Sequence, residues 1–262
     1  MFKKILISLI LSILIIVGLY NAEQFVSNVE DDKYIKKTEL ADFKKPENLK
    51  DISFNKTSSI IDNDALTKAN KDYIGWLTIE GTNINTPVVK SDFYFRKNFK
   101  KKYSLAGTPF IPKYNPESNI KSIFGHNLGY GRTDAFHDIT NYSDKNYYNS
   151  HQTVYFTENK VKGNKYKVVA FLNYSTENKF NYLDVNFKTS KDFVDWKLNI
   201  KNLSKYTDEN FENIQFNNGK ILILSTCHST TWSDDGIRSV LICYSPERLK
   251  NINIDYYNST DL

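Results

Sequence analysis

The stretch KILILSTCHSTTWSDDGIRSVLICYS, Lys220 to Ser245, decides how the chain is read. A short apolar run, Ile221 to Leu224, leads into Ser225, Thr226 and Cys227. A polar, Gly-containing loop follows, and Arg238 then opens a second apolar run, Val240 to Tyr244. Short Ile/Leu/Val-rich runs bounded by turn residues read as strand, loop, strand. The first strand ends on a thiol and the second begins on a guanidinium. If the strands are neighbours, both groups sit at one end of a sheet, and a base from elsewhere would complete a reactive set.

Working outward, the totals bound the answer. A chain of 262 residues holds one domain of ordinary size plus appendages. Aromatics make up 15% of it, with 18 Tyr and 17 Phe, which suits a β-rich protein. The net charge of +5 is mild and the lysines are scattered among acids. Nucleic-acid binding needs a concentrated basic stripe, so it is not expected. A polyanionic setting such as a membrane surface or cell wall is compatible with this balance. The two cysteines, Cys227 and Cys243, are too few for a disulfide framework. Cys243, between Ile242 and Tyr244, reads as a small core residue, which leaves Cys227 as the reactive candidate.

The N-terminus is of a different kind. Lys3 and Lys4 precede an uncharged apolar run from Ile5 to Tyr20. As a helix this run would span about 24 Å, slightly short of the hydrocarbon thickness of a bilayer. A cleaved signal peptide and an uncleaved signal anchor both fit, and Asn21-Ala22-Glu23 makes a poor cleavage site. The anchor is the preferred reading, over residues 1–22, with the basic flank in the cytoplasm and the remainder outside the cell membrane. Residues 23–69 are polar and charged, broken by Pro46, and read as a stalk with N-terminal helices, the last from Asp62 to Ala69. Residues 70–262 carry short strand candidates: Trp76 to Ile79, the approach to Pro87-Val88-Val89, Thr108 to Ile111, Ile120 to Phe124, Thr153 to Phe156 and Lys165 to Leu172. Many short strands at this spacing predict an all-β barrel or sandwich. Ser190 to Tyr206 departs from it. Phe193, Trp196, Ile200 and Leu203 fall on one helical stripe and Leu198 off it, which predicts a helix inserted between late strands and packed on the barrel.

A thiolate attacks, and an ordinary thiol is mostly protonated at neutral pH, so Cys227 needs a base or a charge partner. Four histidines are available: His126, His137, His151 and His228. His228 adjoins Cys227, and strand alternation would send the two side chains to opposite faces. His151 reads as an exposed loop residue and His137 as a surface residue on a short helix. His126 ends an apolar strand, SIFGH, and precedes the Gly-rich NLGYG, a position suited to facing a cleft. The candidate catalytic set is therefore His126, Cys227 and Arg238. Cys227 would attack a carbonyl. His126 would protonate the leaving amine and then deprotonate the incoming nucleophile. Arg238 would donate hydrogen bonds to substrate backbone or oxyanion, or, more plainly, pair with Asp234 or Asp235. Whether thiol and imidazole rest as an ion pair or a neutral pair depends on burial and stays open at this stage.

LSTC at Leu224 to Cys227, with an arginine at the next strand start, resembles the sortase signature TLxTC. SIFGHN resembles the sortase histidine motif. IGWLTIEGTNINTPVV and FYFRKNF…AGTPFI resemble the start of the class B sortase domain, and the helix around Phe193 to Leu203 resembles the class B insertion between the sixth and seventh strands. The likeness runs roughly from Asp72 to Pro246. Two departures stand out: Ile223 occupies the place of the signature's Thr, and His228 directly follows the cysteine.

The resemblance implies a mainly β fold, a closed eight-stranded sortase-type barrel. It implies a membrane-anchored cysteine transpeptidase of a Gram-positive bacterium. Such an enzyme cleaves a C-terminal sorting motif of a secreted protein after Thr, and joins that protein to an amine of the cell-wall precursor through a thioacyl-enzyme. Ser225 and Thr226 would line the motif groove, or be polar strand-end residues only. No cofactor is implied, and no metal, since the histidines and the cysteine lack ligand spacing. The rival readings are another extracytoplasmic thiol enzyme acting on peptidoglycan and a non-catalytic surface β-barrel binding module. The former family carries a His-Gly-Cys-like signature that this chain lacks.

Overall fold

The computed structural model describes residues 10, 12–19, 62–128, 135–158, 164–215, 218–228 and 235–246. Of the expected anchor it describes Ile10 and Ser12 to Leu19, which are helical. Among the described residues no helix is long and apolar enough to cross a membrane. Of the expected stalk it describes only the last turns; the rest of 23–69 lies outside the described residues. That last piece is helix α1, Asn63–Ala69, started by the Asp62 side chain accepting from Ala65 N–H at 3.1 Å. Such a cap satisfies one of the free donors of the first turn.

Among the described residues nine strands follow: β1 Tyr73–Ile79, β2 Asn85–Lys90, β3 Phe110–Ile111, β4 Ile120–Phe124, β5 Thr153–Glu158, β6 Asn164–Ser175, β7 Ser204–Thr207, β8 Lys220–Cys227 and β9 Ile237–Ser245. They form one sheet in the order β5-β1-β2-β3-β4-β8-β9-β6-β7, and an additional β5–β6 pairing closes it. Eight strands thus make the ring, and β7 extends it along β6. Closure removes the free edges that an open sheet would leave.

Alternation divides the side chains into two layers. Leu222 and Leu224 of β8, Leu241 and Cys243 of β9 and Ile123 of β4 point into the barrel with Leu77, Val154, Phe156 and Phe171. Ile221 and Ile223 of β8, and Val240 and Ile242 of β9, point the other way, into an apolar layer with Phe193, Trp196 and Ile200. After α2, Lys145–Ser150, comes α3, Ser190–Leu203, which holds those three and lies in the chain between β6 and β7. Its start is a capping box, Thr189 with Asp192, and Leu198 is exposed as the stripe requires. Ile223, which stands where the sortase signature has Thr, is fully buried in this layer, a site that favours an apolar side chain.

Several boundaries differ from expectation, β1 starting at Tyr73 rather than Trp76 and β6 running to Ser175 rather than Leu172 among them. The helix ends at Leu203 rather than running to Tyr206, because Ser204 turns extended and Tyr206 pairs with Phe171 on β6. The strand expected from Thr108 starts only at Phe110. The Thr108 backbone N–H and hydroxyl are bound instead to the carbonyls of Tyr94 and Lys97.

Candidate active site

β8 and β9 are antiparallel neighbours, and their register ends on Cys227 opposite Arg238. β4 lies on the other side of β8 and runs parallel to it, with Phe124 beside Ser225. Two residues on, His126 follows Phe124 as Cys227 follows Ser225, so the register carried forward brings His126 alongside Cys227. All three positions share the parity of Ile223 and Ile242, and so the outer face of the barrel. Cys227, His126 and Arg238 are each half-buried. The ends of β8 and β9 therefore bring the thiol and the guanidinium to one face, and the parallel register of β4 leads toward His126 on that same side.

The approach to His126 is shaped by a glycine. A Cβ on Gly125 would lie 2.6 Å from Cγ of Phe136, a fully buried ring. The Phe136 N–H in turn donates to the His126 carbonyl at 2.8 Å. The imidazole packs on Phe95, with ring centroids 4.2 Å apart, and its Nε2 lies 2.8 Å from the Phe95 carbonyl oxygen. A carbonyl only accepts, so Nε2 carries the hydrogen and Nδ1 the lone pair. Burial pushes the imidazole pKa down to about 4; the Phe95 carbonyl works against this, and the nearby Arg96 adds to it. His126 is accordingly neutral near neutral pH, ready to take a proton at Nδ1.

Ser225 and Thr226 are both buried. The Ser225 hydroxyl is hydrogen-bonded to the hydroxyl of Tyr182 at 2.7 Å. The Thr226 hydroxyl is buried with no hydrogen-bond partner, on the barrel's inner side opposite Ser239. Tyr182 comes from the segment between β6 and α3. Its carbonyl accepts from the Trp196 indole at 3.0 Å, and its ring packs edge-on against Tyr174. Burial raises its pKa, the Ser225 bond and Arg238 lower it, and Cys227 raises it, so this hydroxyl lies within electrostatic reach of both groups. The inserted helix thus pins a tyrosine beside the strand that carries the thiol.

The other histidines lie elsewhere. His228 Nδ1 is 2.8 Å from the buried Ser239 hydroxyl, on the face opposite Cys227, as alternation requires. Its backbone N–H donates to the Ile237 carbonyl at 3.0 Å. His151 is half-buried and stacks on Tyr147 at 3.8 Å. His137 begins a 3-10 helix, His137–Ser143, and is half-buried with Nδ1 3.0 Å from Asn127 Oδ1. Asp235 accepts from the Ile237 N–H, and Arg238 Nη1 donates to the Ile237 carbonyl, both at 3.0 Å. Asp234 lies outside the described residues. Sequence reasoning missed Tyr182, Phe95 and Asn127. Asn127 had a signal, since it directly follows His126. Phe95 lies in the FYFRKNF stretch, but nothing there pointed to His126. Tyr182 had none, since nothing in FNYLD, Phe180 to Asp184, points to Ser225.

Cys227 and Cys243 are not joined in a disulfide. Among the described residues no group of three His, Cys, Asp or Glu could hold a metal ion. The chemistry available at the strand ends is that of a thiol with a proton acceptor and a cationic hydrogen-bond donor alongside.

The chain is similar to Sortase B of Listeria monocytogenes, at 32% identity over 169 residues, 62% of this chain and 65% of that protein. It is similar to Sortase B of Staphylococcus aureus at 25% identity over 185 residues, 68% of this chain and 72% of that one. The aligned stretch is thus a little under two thirds of the Listeria protein's length. No protein-family model matches the chain. Among solved structures, Clostridium perfringens sortase B is similar with a TM-score of 0.62 at 23% identity, covering 70% of this chain and 98% of that one. A Bacillus anthracis sortase B gives 0.65 at 19% identity, covering 84% and 100%. In sequence the chain is thus similar to two sortase B proteins, and in fold it shares the closed barrel of the solved sortase B structures.

Proposed function

We propose that the protein is a cysteine transpeptidase acting outside the cytoplasm, which cleaves a C-terminal sorting motif after Thr and transfers the protein to a cell-wall amine. The observation that carries this reading is the register that ends on Cys227 opposite Arg238, with the β4 strand leading to His126 running parallel beside β8. Cys227 Sγ gives up its proton and bonds to the carbonyl carbon of that Thr. The carbonyl electrons move onto oxygen, where the Arg238 guanidinium donates to the oxyanion. The His228 N–H is engaged with the Ile237 carbonyl, which favours the guanidinium for this work. His126, neutral at rest with its lone pair on Nδ1, takes the proton and delivers it to the departing amine. The C–N bond breaks and a thioacyl-enzyme remains. An incoming amine then bonds to the same carbon and gives its proton to His126, and the oxyanion collapses to expel the Cys227 thiolate, which takes that proton back.

The basic flank and apolar run at residues 1–22 support a single-pass anchor with the barrel outside the cell membrane, next to secreted substrates and cell-wall precursors. Incubating the folded domain with a library of sorting peptides and an amine nucleophile tests the reading. A peptide acylated on Cys227 and resolved by the amine is the expected product. A trapped peptidoglycan stem would replace the proposal with a peptidoglycan-acting thiol enzyme. Intact biological function in Cys227→Ala would replace it with a binding module.

A further inference from the structure

The backbone ladder between β4 and β8 reaches as far as the Gly125 N–H and the Ser225 carbonyl, 3.2 Å apart. Beyond it the connection passes to a side chain. Asn127 is buried, and its Nδ2 donates to the carbonyl oxygens of Cys227 and His228, each at 3.2 Å. Its Oδ1 lies 3.0 Å from His137 Nδ1. The donor directions agree with one another. Two carbonyls require the amide nitrogen between them, which turns Oδ1 toward His137, and neutral His137 must then donate from Nδ1. The segment carrying His137 is itself docked on the site: Phe136 N–H binds the His126 carbonyl, and Asp138 accepts from the Asn83 N–H at 2.7 Å.

We propose that Asn127, oriented by His137, is a positioning residue for the reaction. It clamps the peptide carbonyls at and after Cys227 to the strand end that carries His126, and so fixes the thiol against the imidazole. Neither side chain enters the chemical steps. A clamp of this kind acts on rate because reacting groups displaced by an ångström lose on the order of 100-fold. The amide is required, since a carboxylate at this position would turn lone pairs toward two carbonyl oxygens. The inference rests on the transpeptidase reading for its kinetic arm only.

Five variants test it: Asn127→Ala, Asn127→Asp, His137→Ala, His137→Gln and the double alanine. Two readouts are used, peptide turnover and the pH profile of Cys227 alkylation by iodoacetamide, which needs no substrate. Asn127→Ala is expected to lower kcat by about 10- to 100-fold with KM within about threefold. It should also move the alkylation midpoint by about half a pH unit or more. Asn127→Asp should do at least as badly. His137→Ala should cost a few-fold, and nothing further when Asn127 is already alanine, as coupled residues behave. His137→Gln, whose amide can donate to Oδ1, should restore most of that loss. Wild-type kcat with an unmoved alkylation profile in Asn127→Ala would overturn the clamp, and so would independent, multiplying losses in the double variant. If Asn127→Ala does not fold, the His137→Ala and His137→Gln pair decides by loss and rescue. If the wild-type chain turns over no sorting peptide, the transpeptidase reading fails, while the alkylation profile still decides the clamp.

Discussion

The two cysteines lie on neighbouring strands of one ladder and share almost nothing else. Cys243 faces Leu222 in mid-ladder, points into the barrel and is fully buried. Burial alone pushes its thiol pKa up, past any pH at which it could attack. Cys227 closes the same ladder, on the opposite face, half-buried and opposite a guanidinium. Residue type and ladder are the same; rung and face are not. In a barrel, the interior offers cysteine a place as a small apolar side chain. The strand ends offer it partners, because there neighbouring strands deliver side chains to one place without filling it.

Removing each thiol in turn puts that contrast to its hardest test. Cys227→Ala is expected to lower acyl transfer on the order of 10⁴-fold or more with an unchanged circular-dichroism spectrum. Cys243→Ser should leave the rate per folded molecule alone, and cost about 1–3 kcal/mol in chemical denaturation by burying a hydroxyl in an apolar site. Residual full activity in the first variant, or rate loss without destabilisation in the second, would reverse the assignment of the two thiols.

The next effect in size concerns the base. His126→Ala should reduce turnover by about 10²- to 10⁴-fold, whereas His137→Ala, His151→Ala and His228→Ala should each stay within about tenfold of wild type. Similar losses at all four positions would mean that the strand-end register does not select the base. Gly125→Ala probes the same strand end through packing. Its methyl would strike the buried Phe136 ring, so a cost of about 1–3 kcal/mol and a roughly tenfold drop in kcat are expected. Wild-type stability in that variant would show that the Phe136 ring can give way.

The smallest effect is on stability against pH. His126 has its pKa lowered from 6.5 to about 4, chiefly by burial. Across that window the unfolded chain binds a proton that folded His126 does not. Unfolding free energy should therefore fall as pH drops from about 6.5 toward 4, and be insensitive to this group above that. Denaturant melts at about pH 7 and about pH 4.5 should show a larger loss for wild type than for His126→Gln. Equal losses would place the imidazole in water.

Much of this was legible in sequence because it rests on local periodicity. The β8 and β9 runs, the Ile120–Phe124 strand and the Phe193/Trp196/Ile200 stripe are patterns of period two and 3.6, and they appear in the structure where the pattern puts them. Less local features were harder to read. The start of β3 is shortened because Thr108 is bound by Tyr94 and Lys97, residues no periodicity links to it. Ser225 and Thr226 looked equivalent as polar residues before a cysteine. The structure gives one hydroxyl to Tyr182 and leaves the other unpartnered inside the barrel.

The sequence by itself determined the strand ends on which a thiol, an imidazole and a guanidinium stand, since alternation and turn residues are written into each run. Only the tertiary structure decided that β4 lies beside β8, that Tyr182 reaches Ser225 from under the inserted helix, and that Asn127 ties the cysteine's carbonyl to the histidine's strand. Strand order, and contacts between residues far apart in the chain, follow from how a closed sheet buries both its faces at once, which no local stretch of sequence records.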